Sequence, residues 1–352
     1  MHPRPEVATP AVAAPSSPHT TALEQPSVDV ASAAAVIPAQ PMPLRGGVVS
    51  GLIRTLRPHQ WVKNLFVLAP IFFHKDVFLT TAQGPALNLL WTGRALAATA
   101  VFCLLAGAVY TINDLVDIQA DRRHPIKRER PIASGVVPER LARLMAVALV
   151  LFSFATSYLL APALALVALV YFAANVAYSF KLKKVAFVDV GLIAFGFILR
   201  VLAGGIATDV HVSAYMLACT ALLALFLGFG KRRHELSLEN AGKQREALET
   251  YTPVSLNIAL AFTGTATLVT YVAYTLDPVT RAYFNSNYLW LTAPNTAFAI
   301  LRFVQIVLGR AGRGVRAESP TQEMLRDVPF VLNLVLWVAV VVALVYKLRP
   351  SL

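Results

Sequence analysis

The chain has 352 residues, of which 57% are hydrophobic and 14% charged, well below the roughly 25% charged of an ordinary soluble domain. Apolar runs of roughly 20 residues, enough to cross a hydrocarbon core about 30 Å thick, recur along most of the length and exclude a soluble protein. The alternating short strands of a β-barrel are not evident, and the formal charge of +12 gathers at helix ends, which argues against a nucleic-acid partner.

Residues 1–46 are rich in Ala, Pro, Ser, Thr and Val without periodicity and read as a disordered arm. They lack the basic start and unbroken apolar core of a secretory signal. "GLIRTLRPHQWVKN" (51–64) sets Trp61 and several cations ahead of an apolar run, the pattern of a helix lying in the membrane interface. An all-α bundle of about nine transmembrane helices follows, with spans near 64–82, 94–113, 140–157, 161–180, 186–207, 213–230, 255–276, 286–308 and 328–346. Cys103 and Cys219 fall within spans and show no metal-binding spacing.

Loop charge orients this bundle. Loops after even-numbered spans hold seven Arg/Lys between 122 and 143, three in "KLKK" (181–184), five from Lys231 to Arg245 and four from Arg310 to Arg326. The other side shows only Lys75, Arg94, Arg281, Lys347 and Arg349. The positive-inside rule therefore puts the long basic loops on the cytoplasmic side of the cell membrane.

The second span ends in "NDLVDIQADRRHPIKRERP" (113–131). Asn113, Asp114, Asp117 and Asp121 recur at helical spacing and share one stripe. Such carboxylates repel one another in a low dielectric unless a cation neutralises them, and hard oxygen ligands suit Mg²⁺ bound jointly with substrate phosphates. Pro125 and Pro131 limit the helix, so the following cations form a loop over the stripe, with Arg130 a candidate phosphate contact. A second cluster, "YSFKLKKVAFVDV" (178–190), gathers Tyr178, Lys181 and Asp189 near the same face. Arg200 lies inside a span and is expected to face the bundle interior, because a charge there costs at least about 2.5 kcal/mol. "GFGKRRHEL" (228–236) closes another span with Lys231, Arg232, Arg233 and Glu235.

Together these residues resemble the UbiA-type intramembrane prenyltransferase superfamily, marked by N-D-x-x-D-x-x-x-D at the end of the second helix and a basic loop after it. The resemblance covers about residues 50–346 and makes 47–352 one transmembrane catalytic domain. It implies a Mg²⁺-dependent transferase using Asp114, Asp117 and Asp121, with Asn113 joining them as metal ligand. Where most members carry a second aspartate motif of the D-x-x-x-D kind, this chain has Tyr178, Lys181, Lys184 and the single Asp189. "LRPHQWVKNLFVLAPIFF" and "YSFKLKKVAFVDV…LRVLAGG" are similar instead to the members that join phosphoribosyl pyrophosphate (PRPP) to decaprenyl (polyprenyl) phosphate, precursor to the arabinose donor of cell-wall arabinan. By their position, Lys63, Arg130, Tyr178 and Lys181 are candidate phosphate contacts, and Asp189 a candidate for ribose or a second metal. Prenyl transfer to an aromatic ring and membrane transport are the rival readings, though transporters place their ionisable groups nearer the midplane. Self-association is left open.

Overall fold

The computed structural model describes residues 47–74, 77–81, 84–237, 246–309 and 320–347. The arm expected at 1–46 lies outside the described residues, as do the loop cations Lys75, Lys243, Arg245, Arg310, Arg313, Arg316 and Arg349.

Among the described residues, eight helices are long and apolar enough to cross a membrane: Leu89–Val116, Glu139–Leu160, Pro162–Phe180, Val188–Thr208, Ala214–Leu236, Pro253–Leu276, Leu289–Gly309 and Val328–Tyr346. They match the second to ninth expected spans, and the chain is a multi-pass membrane protein. The elements before them are α1 (Val48–Thr55), a 3-10 segment (Pro58–Leu68), α2 (Ala69–Phe72) and a hairpin of β1 (Phe78–Thr81) with β2 (Gly84–Leu87). After these come α3 (Leu89–Val116), α4 (Ile118–Arg123), α5 (Glu139–Leu160), α6 (Pro162–Phe180), α7 (Val188–Thr208) and α8 (Ala214–Leu236). The chain then continues through α9 (Pro253–Leu276), α10 (Pro278–Phe284), α11 (Ala293–Gly309), α12 (Pro320–Arg326) and α13 (Val328–Val342).

The first expected span, 64–82, takes a different form. Its front half is the 3-10 segment and α2, and its back half is the antiparallel hairpin, with Phe78 paired to Leu87 and Thr81 to Gly84. Eleven residues of 3-10 helix rise about 22 Å and the four of α2 about 6 Å more, close to the hydrocarbon thickness with fewer residues than an α-helix needs. Gly204 of α7 permits the close approach, since a β-carbon there would stand 1.8 Å from the Val67 carbonyl oxygen.

Arg200 pins the segment further. Its guanidinium donates to Asn64 Oδ1 (2.7 Å), the Gly196 carbonyl (2.8 Å) and Tyr171 Oη (2.8 Å), and Asn64 donates to Cys103 Sγ (3.2 Å). Arg200 thus faces the interior as expected, and these three partners are neutral groups. Around this network Val67, Phe102, Leu105, Leu164, Leu199 and Ala203 form one buried cluster, while Val190, Phe226, Phe303 and Leu256 anchor a second. The caps are local: Asn88 accepts from Trp91 N at the start of α3, Ser213 from Met216 N at α8, and Thr252 and Ser255 form a capping box at α9.

Candidate functional site

The aspartate stripe survives a break in the helix. α3 ends at Val116 and α4 starts at Ile118, yet Asp117 N bonds to the Asn113 carbonyl (2.9 Å) and Asp121 N to the Asp117 carbonyl (2.8 Å). The i→i−4 ladder therefore carries the stripe across the junction. Arg130 Nη1 touches Asp114 Oδ1 at 3.1 Å and Asp121 Oδ2 at 2.7 Å, so one guanidinium bridges both carboxylates. Asp117 and Asn113 are half-buried beside them, and the Asp117 carboxylate makes no ion pair with a described residue. Arg122 holds the basic loop down, donating to the Ala133 carbonyl and pairing with Glu139.

Sequence reasoning missed Arg57. Its Nη2 lies 2.6 Å from Asp114 Oδ1, and its guanidinium stacks over the Tyr110 ring at 4.9 Å. Its backbone is left-handed, φ 52° and ψ 62°, a conformation that costs a non-glycine residue about 1–3 kcal/mol. The turn breaks the chain between α1 and the 3-10 segment and coincides with Arg57 reaching the carboxylate; nothing in "RTLRPHQ" announces it except Pro58.

A polar pocket of about 390 Å³ opens here, lined by Arg54, Arg57, His59, Lys127 and Arg130 with Asp114. Lys63 is exposed and within electrostatic reach of Arg57, Arg200 and Lys231.

The second cluster is closed. Asp189 is 0% exposed; Arg232, 1% exposed, pairs with it through Nε at 2.7 Å and also with Glu235. Tyr251 Oη donates to Asp189 Oδ1 (2.8 Å) and accepts from Phe187 N (2.6 Å). Burial pushes the Tyr251 phenol above its ordinary range, and its bond to Asp189 adds to that. Tyr178 is half-buried within electrostatic reach of Arg232, while Lys181 at the end of α6 is exposed without a partner among the described residues. Of the expected contacts, the structure thus brings Asp114, Asp121 and Arg130 together, sets Tyr178 near Asp189, and leaves Lys181 at the rim.

Beyond the polar end, an apolar cavity of about 460 Å³ is lined by Phe66, Cys219, Phe226, Tyr271, Phe303 and Trp337, among others.

Among the described residues no three His, Cys, Asp or Glu side chains converge closely enough to hold a cation unaided. The donor chemistry nonetheless fits Mg²⁺, which commonly takes one or two carboxylates and completes its shell with water and substrate phosphate. Asp114 and Asp121 already share one cationic partner, and Asp117 has no ion pair with a described residue.

A helical membrane bundle, with eight membrane-length helices among the described residues and an acidic stripe under a basic loop, defines a class, and the chain belongs to it: residues 67–318 match the UbiA prenyltransferase family. Within that family it is similar to the decaprenyl-phosphate phosphoribosyltransferase of Mycolicibacterium smegmatis, 36% identical over 310 residues, 85% of this chain and 93% of that one. The enzyme of the same name from Mycobacterium tuberculosis is 37% identical over 304 residues, 85% of this chain and 95% of that one. A UbiA homolog from Archaeoglobus fulgidus, solved bound to GPP and Mg²⁺, superposes with a TM-score of 0.60 at 18% identity, covering 84% of this chain and 99% of that one. That likeness establishes the fold.

Proposed function

We propose that the protein transfers the 5-phosphoribosyl group of PRPP to decaprenyl (polyprenyl) phosphate, releasing pyrophosphate, with its polar end facing the cytoplasm. The observation that carries this reading over prenyl transfer to an aromatic ring is the charge balance of the polar end. The carboxylates Asp114 and Asp121 are held by Arg57 and Arg130, Lys63 lies within electrostatic reach of Arg57, and Asp189 is neutralised by Arg232. Two phosphorylated substrates call for many cations and few free acids. The likeness to the two mycobacterial enzymes supports the same conclusion.

In the reaction, the bond from ribose C1 to the pyrophosphate oxygen breaks as an oxygen of the polyprenyl phosphate bonds to C1. The attacking phosphate is ionised at neutral pH, so no strong general base is needed. Asp114, Asp117 and Asp121, with Asn113, would hold Mg²⁺ only together with water and substrate phosphate, and it would supply charge neutralisation on the leaving pyrophosphate. Arg130 and Arg57 pass from carboxylate to phosphate oxygens, and Lys63 faces the incoming lipid phosphate. Orientation of two anions, not acid–base chemistry, sets the rate. The apolar cavity receives part of the polyprenyl chain.

One experiment tests activity and orientation together. Sealed vesicles containing the protein and polyprenyl phosphate receive labelled PRPP and Mg²⁺ from outside, and label is then extracted with the lipid. Inside-out vesicles should make labelled lipid and right-side-out vesicles should not. Label consumed only with a prenyl diphosphate donor would overturn the transfer reading, and activity confined to right-side-out vesicles would overturn the orientation.

A further inference from the structure

The 390 Å³ pocket is graded from floor to rim. At its floor Asp114 is buried, and Arg57 and Arg130 are half-buried and ion-paired to it. At its rim Arg54, His59 and Lys127 are exposed, and none of the three side chains has a hydrogen bond or ion pair with a described residue. Positive-inside bias accounts for cations on this face of the membrane. It does not account for their convergence, from three separate elements, on one pocket with a carboxylate floor.

That convergence is built into the fold. Arg54 lies in the last turn of α1, His59 in the first turn of the 3-10 segment, and Lys127 starts a short 3-10 turn, Lys127–Glu129, in the basic loop. α1 packs directly on that loop at Gly51, where a β-carbon would stand 2.7 Å from Val137 Cγ2 and 3.1 Å from Val136 Cγ1. The left-handed Arg57, between Arg54 and His59 in sequence, pairs with Asp114 at the floor while its two neighbours stay at the rim. Two groups of cations line one pocket at two depths.

We propose that Arg54, His59 and Lys127 seat the 5′-phosphate of the phosphoribosyl donor, apart from its diphosphate, which faces Arg57, Arg130 and the aspartates. The assignment rests on the phosphoribosyl reading above. PRPP carries anions at both ends of the ribose, so it needs two seats; a prenyl diphosphate carries its anion at one end and gains nothing from the rim. Glu129 also lines the pocket, and its carboxylate suits the ribose hydroxyls rather than a phosphate. The rim is thus a specificity element: it selects the donor by the end that does not react.

The test separates the two seats by competition. Full-length protein in detergent with Mg²⁺ binds labelled PRPP, and ribose 5-phosphate or pyrophosphate is titrated against it. Both should displace label from the wild type. Loss of charged contacts in the double variant Arg54→Ala, Lys127→Ala should raise the ribose 5-phosphate requirement about tenfold or more and leave that for pyrophosphate unchanged. Arg57→Ala should reverse the pattern. Retained pyrophosphate binding also shows that the double variant is folded. If the double variant shifts both competitors equally, or neither, there is no separate 5′-phosphate seat. Wild-type protein that binds PRPP with the contrast intact, yet labels no lipid, would count against the transfer reading and leave the seat standing. Wild-type protein that binds no PRPP would sink both.

Discussion

Two acid–arginine clusters stand at the polar end of the bundle, alike in composition and opposite in setting. In the first, Asp114 and Asp121 are 3% and 2% exposed, but their partners Arg57 and Arg130 are 26% and 29% exposed and line an open pocket. In the second, both Asp189 and Arg232 are sealed, with Tyr251 bonded to Asp189 and Glu235 paired to Arg232. An ion pair with one partner at the solvent is worth little and can exchange. A sealed pair is costly to break from one side, because the survivor is left charged in a low dielectric. The first cluster is therefore suited to trade its arginines for a ligand, and the second to tie α7, α8 and the approach to α9 together.

The largest expected effect breaks that contrast most directly. Arg232→Met should lower unfolding stability by about 3–5 kcal/mol, the usual cost of orphaning a buried charge. Arg57→Met should cost about 1 kcal/mol or less, since Asp114 keeps Arg130. Denaturation followed by near-ultraviolet circular dichroism in detergent measures both. Adding Asp189→Leu to Arg232→Met removes the orphan and should recover much of the loss. Equal losses for the two single variants would show that the clusters are not different in kind.

Turnover should sort the clusters the other way. Asp114→Asn and Asp121→Asn should each slow labelled-lipid formation at least about a hundredfold, roughly 2.7 kcal/mol of barrier, with melting nearly unmoved. Their Mg²⁺ requirement should rise together with the loss. Full activity in both variants would remove the stripe from the mechanism.

Much of this was legible in the sequence for a physical reason. A span in lipid must satisfy its backbone internally, so eight apolar runs became eight helices with little ambiguity. Carboxylates at helical spacing share a face whatever the tertiary structure, so Asp114 and Asp121 were readable. What depended on backbone irregularity was not. The first span looks like an α-helix by composition, and only the approach permitted by Gly204 shows why an extended 3-10 segment fits there. Arg57 read as one of several interfacial cations because Pro58 is the one mark its left-handed backbone leaves in "TLRPHQ". Asp189 was legible as an acid at the right face, but its partner Arg232 lies 43 residues on, in a run resembling ordinary topogenic charge.

The smallest effect sharpens the account of the sealed cluster through Tyr251. Its phenol bridges the Phe187 amide and Asp189, so Tyr251→Phe leaves a donor and an acceptor short and should cost roughly 1–2 kcal/mol. Phe187 itself is held at φ 65°, a strained position that the lost bond would no longer support. The pH dependence then gives a signature that simple packing loss would not. Burial holds the Tyr251 phenol above its ordinary range, whereas in the unfolded chain it titrates near 10. Below that pH both states keep the proton and the full contribution is present. Above it the unfolded chain releases its proton first, so stability falls as pH rises. The Phe variant has no such proton. Its deficit against the wild type should therefore be full at about pH 9 and shrink towards pH 11, the window set by the unfolded tyrosine. A deficit constant across that window would mean that the phenol is not shielded, and the second cluster would have to be regarded as open to water like the first.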